Sequence, residues 1–151
     1  MTIYNVLINS NNRVAGGTTT SSAHYYFNWG SVLPQGEYLL RWGFTSSNVN
    51  TMVNKTALIS VELGQSSVYT ASSSSVRAST TNIIGTAIPN ESDLSSFLYG
   101  DQNTNGVVYL SNAPSVNQFK VELYHLNGTL WTDAVGNPLS EYSLTLNFEK
   151  I

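Results

Sequence analysis

The chain has 151 residues and no cysteine, so we expect one domain with its own core, without disulfides, thiolate metal sites or cysteine nucleophiles. Nine acidic and six basic residues give a net charge of -3, which argues against a nucleic-acid-binding protein because such proteins show a basic face. The opening residues show no signal-peptide pattern, and no apolar run approaches the roughly 18 residues of a membrane-spanning helix.

Four β-strands are predicted in the first half of the chain, at residues 3–9, 23–29, 36–46 and 56–63. The first carries apolar residues on both faces, which predicts a strand that is central in its sheet or faces a partner subunit. In the next two, aromatic residues recur at every second position and place Trp29 and Trp42 on apolar faces. These two tryptophans are therefore predicted to lie in the core.

The second half begins with a stretch rich in serine and threonine, residues 66–81, which predicts an exposed, mobile loop with at most a weak edge strand. After a strand at 82–88, Asn90 has the character of a helix N-cap, and Leu94, Phe97 and Leu98 follow at helical spacing. One short helix is therefore predicted near residues 91–99. The last three predicted strands are at 106–111, 117–126 and 141–150.

The two C-terminal strands show the clearest alternation of apolar and polar residues. Asn127-Gly128 follows the first of them and predicts a chain reversal. Eight short antiparallel strands with loops of unequal length favour an all-β fold, an eight-stranded β-sandwich that forms a single jelly roll over residues 1–151. In a jelly roll the first and last strands lie side by side. An immunoglobulin-like sandwich is the alternative, although its cysteine landmarks are missing.

The sequence offers little catalytic chemistry. His24 and His125 lie in separate strands without zinc-site spacing, which favours structural roles. The acidic residues Glu91, Asp93 and Asp101 favour helix capping over calcium binding, because the regular calcium loop is absent. Paired carboxylates could still meet in space, but no nucleophile or phosphate-loop motif is present. We therefore predict no catalytic residue, no metal site, no cofactor and no enzymatic activity.

Two features indicate binding surfaces. On the polar faces, serine, threonine and asparagine take the place of charged residues. Such a surface suits packing against other subunits, because few charges have to be desolvated, but it is also typical of ordinary β-proteins. The aromatic residues could form a sugar-stacking platform. Trp131 lies with Leu130 in the loop after the Asn-Gly turn, and we predict that it is exposed as a subunit contact or ligand anchor.

Several stretches also resemble the sequences of one protein family. They are Leu7-Ile8-Asn9-Ser10-Asn11-Asn12-Arg13, Tyr26-Phe27-Asn28-Trp29, Leu33-Pro34-Gln35-Gly36-Glu37-Tyr38, Leu123-Tyr124-His125-Leu126-Asn127-Gly128 and Tyr142-Ser143-Leu144-Thr145-Leu146-Asn147-Phe148-Glu149. Through these stretches the chain resembles small single jelly-roll capsid proteins of large icosahedral DNA viruses and their virophages. The resemblance covers most of the chain, although none of the stretches is a diagnostic motif.

The resemblance implies a structural virion protein, made in the host cytoplasm, that serves as a penton or as a minor capsid component. A homo-oligomer is expected, with the pentamer favoured, and other capsid proteins such as a double jelly-roll major capsid protein as partners. No catalytic residue, cofactor, membrane span or sequence-specific nucleic-acid contact is implied. Contacts are expected at the long loops, residues 11–22, 66–81 and 101–106. The alternative is a carbohydrate-binding or host-attachment jelly-roll module.

Overall fold

The computed structural model describes residues 2–15, 19–47, 56–64, 69–70, 79–80, 82–89, 96–99 and 107–151. Within these ranges the strands are β1 (Ile3–Asn9), β2 (Ser22–Tyr26), β3 (Tyr38–Ser47), β4 (Ala57–Val61), β5 (Tyr69–Thr70), β6 (Ser79–Thr80), β7 (Ile83–Pro89), β8 (Ser96–Tyr99), β9 (Val108–Leu110), β10 (Gln118–Tyr124) and β11 (Glu141–Lys150). Short 3-10 helices occupy Ser10–Asn12 and Trp29–Ser31. No helix in the described part of the chain is long and apolar enough to cross a membrane.

The first sheet has the order β1-β11-β3, and β9 and β8 pair with opposite ends of β3. All of its pairs are antiparallel. One row of the ladder joins Val6, Leu146 and Trp42, whose side chains are all buried. Because side chains alternate along a strand, the neighbouring residues of each strand form the outer face of this sheet.

The second sheet has the order β2-β10-β4-β7, again antiparallel throughout. Its ladder is irregular between Ile59 and Ser60, where the register with β7 shifts. The end of β7 pairs with β8, which also pairs with β3, so the two sheets are joined along one side of the molecule. The opposite side is formed by β1 and β2, which are the terminal strands of this path.

The core lies between the two sheets and is rich in aromatic side chains. The Trp29 ring centroid is 5.2 Å from that of Phe119 in the second sheet and 5.6 Å from that of Phe148 in the first. Trp42 Nε1 donates a hydrogen bond of 3.0 Å to the Ile84 carbonyl across the layers. In the described residues, every buried side-chain nitrogen and oxygen has a hydrogen-bond partner. The structure is therefore a β-sandwich whose buried polar side-chain atoms are hydrogen-bonded in the described residues.

The all-β prediction is confirmed, and a strand overlaps each of the eight predicted segments. The pairing of the first and last strands is confirmed as well, because β1 runs antiparallel to β11 along its whole length. β1 is an edge strand, so the first of the two predicted alternatives, a central position, is wrong, and contact with a partner subunit stays a prediction. The core positions of Trp29 and Trp42 are confirmed.

The predicted helix near 91–99 is wrong where the structure describes that segment. Residues Ser96–Tyr99 form β8, which pairs with the ends of both β3 and β7. Backbone groups at two sheet ends thus gain hydrogen-bond partners, and this long-range pairing outweighs a weak local helix preference. Residues 91–95 and 101, with the predicted acidic cluster, lie outside the described residues. So does most of 66–81, apart from the β5–β6 pair.

Candidate interaction surfaces

The hairpin that follows β10 contains both residues predicted as contacts. His125 N–H donates to the Thr129 carbonyl at 2.8 Å and Gly128 N–H donates to the His125 carbonyl at 2.9 Å, which reverses the chain as the Asn-Gly dipeptide predicts. Gly128 adopts a positive φ of 91°, a conformation that suits glycine. Leu130 then lies opposite Tyr124 in an isolated bridge.

Trp131 is fully buried, so the prediction that it is exposed is wrong. The backbone N–H of Trp131 donates to the Leu123 carbonyl at 2.8 Å, and the backbone carbonyl of Trp131 accepts a hydrogen bond of 2.5 Å from Ser21 Oγ. The returning chain therefore stays beside the second sheet and directs the indole ring into the core. Leu130, one position earlier, has 44% of its surface exposed and remains a candidate contact.

His125 supports this hairpin. Its Nε2 accepts a hydrogen bond of 3.0 Å from the Thr132 N–H, and its ring centroid is 6.0 Å from that of Trp131. His24 lies on β2, opposite Lys120 of β10. Among the described residues no group of three or more histidine and acidic side chains could hold a metal ion.

Asp133 organises the next turn and was missed by the sequence analysis. Its side chain is only 2% exposed, and Oδ1 accepts hydrogen bonds of 3.0 Å from the backbone N–H groups of Val135 and Asn137. This is the pattern in which an aspartate replaces a backbone acceptor in a turn. Asp133 followed by Gly136 and Pro138 was the available sequence signal.

A second buried polar group links the two sheets near the start of β11. The hydroxyl groups of Tyr25 and Tyr142 are 2.7 Å apart, and Ser10 Oγ accepts a hydrogen bond of 2.8 Å from the Tyr142 N–H. Burial raises the pKa of both phenols above the usual value, because the charged phenolate loses its hydration in the interior. The group is therefore neutral and structural at ordinary pH.

A groove of about 430 Å³ crosses the outer face of the second sheet. It is lined by Leu58, Ser60, Asn82, Ile83, Glu122, Tyr124, Leu126, Asn127 and Gly128. Glu122 accepts a hydrogen bond of 3.2 Å from the Ser22 hydroxyl, and its carboxylate helps to raise the pKa of the Tyr124 phenol. The groove thus combines apolar side chains with one carboxylate whose hydrogen bonds come from its own chain. Apolar side chains with a few polar groups are the lining that suits a binding surface.

Titration of Tyr124 tests this environment. Burial, then the hydrogen bond and charge of Glu122, raise the pKa of Tyr124 to about 12 from 10.0. As the pH rises, the phenol of the unfolded chain therefore loses its proton before the phenol of the folded chain does. The raised pKa stabilises the fold fully below pH 10, and this contribution is lost as the pH rises toward 12. We expect the free energy of unfolding of wild type to fall more steeply over this window than that of Tyr124→Phe, as measured by urea unfolding. Glu122→Gln should move the phenol titration to lower pH, and superimposable wild-type and Tyr124→Phe profiles would contradict the assignment.

The outer face of the first sheet carries few charges, which are Arg41, Glu141 and Glu149 in the described strands. Along β1 it carries Ile3, Asn5 and Leu7, and the two apolar side chains are 51% and 67% exposed. Arg41 and Glu149, 2.5 Å apart, form the ion pair that the structure describes on this face. A sheet face with exposed apolar side chains and little charge is easily desolvated when another protein chain covers it.

The tryptophans do not provide a sugar-stacking platform, because Trp29, Trp42 and Trp131 are all buried. In comparisons with known proteins, the chain matches no family model and no curated protein. The resemblance to capsid proteins thus has no support from these comparisons. The described residues present weakly charged surfaces with exposed apolar side chains, which suit binding to other molecules.

Proposed function

We propose that this chain is a structural subunit that acts through contacts with other protein chains, as a penton or minor component in the shell of an icosahedral double-stranded DNA virus. The observation that carries the proposal is the strand order. Its two layers, β1-β11-β3-β9 and β2-β10-β4-β7, place the first strand beside the last, as in a single jelly roll. A β-sandwich with this pairing supports the proposal, because the resemblance implies a single jelly roll.

The surface supports a role in assembly. Ile3 and Leu7 are exposed on a sheet face with little charge, and Leu130 adds an exposed apolar side chain on the hairpin after β10. Burying such groups against another chain is favourable and desolvates few charges. Trp131 is not among the proposed contacts, because its own chain encloses it.

A homopentamer is the favoured assembly. Five-fold closure needs two different surfaces on each chain, because each subunit contacts the next one head to tail. We propose that the segments 11–22, 66–81 and 101–106, for which the sequence predicts loops, supply these contacts, and that a double jelly-roll major capsid protein surrounds the ring in the virion. No cofactor enters this function.

Native mass spectrometry of the purified chain tests the proposal. A ring of five chains, each of 16.5 kDa, is the expected species. The alternative, a carbohydrate-binding or host-attachment module, predicts binding to specific sugars on a glycan array. A monomer that binds such sugars would overturn the structural-subunit proposal, whereas a ring without sugar binding supports it.

A further inference from the structure

β1 forms a long sheet edge that no other described strand covers. Its seven residues contain no charge and no proline, and its register with β11 runs without a bulge. Natural proteins usually protect such edges with charged side chains, proline, bulges or a covering segment, because unpaired backbone groups recruit further strands. None of these devices is present on β1 in the described part of the chain.

The other described edges of the sandwich are protected. β9 has only three residues, and β7 shifts register, ends at Pro89 and pairs with β8. On β2 the chain covers its own edge: Ser22 exchanges backbone hydrogen bonds with Thr19, and the His24 carbonyl accepts one of 2.7 Å from Val14. β1 lies on the same side of the molecule as β2 and differs from it in this respect.

The pairing with β11 defines which groups of β1 are free. The Lys150 N–H donates to the Thr2 carbonyl at 3.0 Å, so this opposite pair is a hydrogen-bonded one. Hydrogen-bonded and non-hydrogen-bonded pairs alternate along an antiparallel ladder. The backbone N–H and C=O groups of Ile3, Asn5 and Leu7 therefore point away from β11, toward solvent.

We propose that this edge pairs antiparallel with the β1 edge of a second copy of the chain, about a two-fold axis at Asn5. Ile3 then lies opposite Leu7 of the partner subunit, and Asn5 lies opposite the partner subunit's Asn5. Each of these pairs exchanges both backbone hydrogen bonds. In this register the two exposed apolar side chains cover each other, and the two amides can donate to and accept from one another.

The absence of charge favours a second copy as the occupant. No like charges meet across the axis, whereas a strongly charged strand of another protein would find no counter-charge on β1. The contact goes beyond the proposed function, because a two-fold contact joins chains in pairs and closes no ring. A strand edge buries less than the roughly 1,200–2,000 Å² of a stable interface, so association is expected in the micromolar to millimolar range.

Asn5→Asp tests this register directly, since it places two carboxylates opposite each other at the axis. We expect sedimentation velocity to show concentration-dependent pairing of wild type and a weakening of about tenfold or more in Asn5→Asp and, separately, in Asn5→Lys. Mixing these two variants in equal amounts should restore association, because unlike charges then meet. Gln118→Glu is the matched control, since it adds a carboxylate at an exposed strand position of the second sheet, away from β1.

Three results would overturn the inference: no concentration dependence for wild type, undiminished pairing in Asn5→Asp, or no restoration in the mixture. Restoration also shows that both variants are folded. Failure of the proposed function is a separate outcome, because ring size is measured independently of Asn5. A ring that persists in Asn5→Asp, with loss only of the association between rings, supports both proposals.

Discussion

Replacing Trp131 with alanine is expected to lower the free energy of unfolding by about 3–5 kcal/mol, as measured by urea or thermal unfolding. The indole is fully buried beside His125, so the substitution removes packing contacts in a part of the core that water does not reach. The cavity left behind adds to the lost burial, because the two sheets and the hairpin can collapse only in part.

Leu130→Ala is the matched control for this change. Leu130 is the preceding residue and is 44% exposed, so its truncation should alter the stability of the isolated chain by no more than about 0.5 kcal/mol. If Trp131→Ala left stability unchanged and weakened assembly instead, the indole would be a subunit contact and the buried position would be wrong.

Asp133→Ala is expected to destabilise the chain by about 3 kcal/mol. The substitution removes the acceptor of two backbone N–H groups, those of Val135 and Asn137, in a turn where the side chain is 2% exposed. A hydrogen bond to a charged acceptor contributes about 1.5–3 kcal/mol, so two bonds at the lower end of this range account for the expected loss. Thermal unfolding measures the effect.

Asp133→Asn separates the hydrogen bonds from the charge. The amide oxygen can still accept both N–H groups, so asparagine should retain more than half of the stability that alanine loses. Equal losses for the two variants would mean that the carboxylate acts chiefly through its charge and would contradict the role assigned to the turn.

The strands could be predicted from the sequence because a period of two is a local property. The runs before and after the Asn127-Gly128 turn became β10 and β11, with bounds close to those predicted. The helix predicted near residues 91–99 was wrong because the structure there depends on contacts that are distant in sequence. Phe97 and Leu98 satisfy a helical spacing but also suit a strand, and the deciding contacts come from Ser46 and Ser47, about fifty residues away.

The buried polar groups could not be predicted, since register cannot be read from one strand alone. Tyr25 and Tyr142 meet only because the two sheets stack in one arrangement, and Trp131 turns inward only because its loop returns along β10. The uncharged composition of residues 3–9 was visible in the sequence, but its meaning depends on β1 being an edge.

The mass of the purified wild-type chain in solution tests the central claim, that the protein works through contacts between copies of itself. Light scattering or native mass spectrometry across a range of concentrations should give a multiple of the 16.5 kDa chain mass, with a ring of five as the basic unit and further pairing through β1 as concentration rises. A particle of one chain's mass at every concentration would contradict both the ring of five and the pairing through β1.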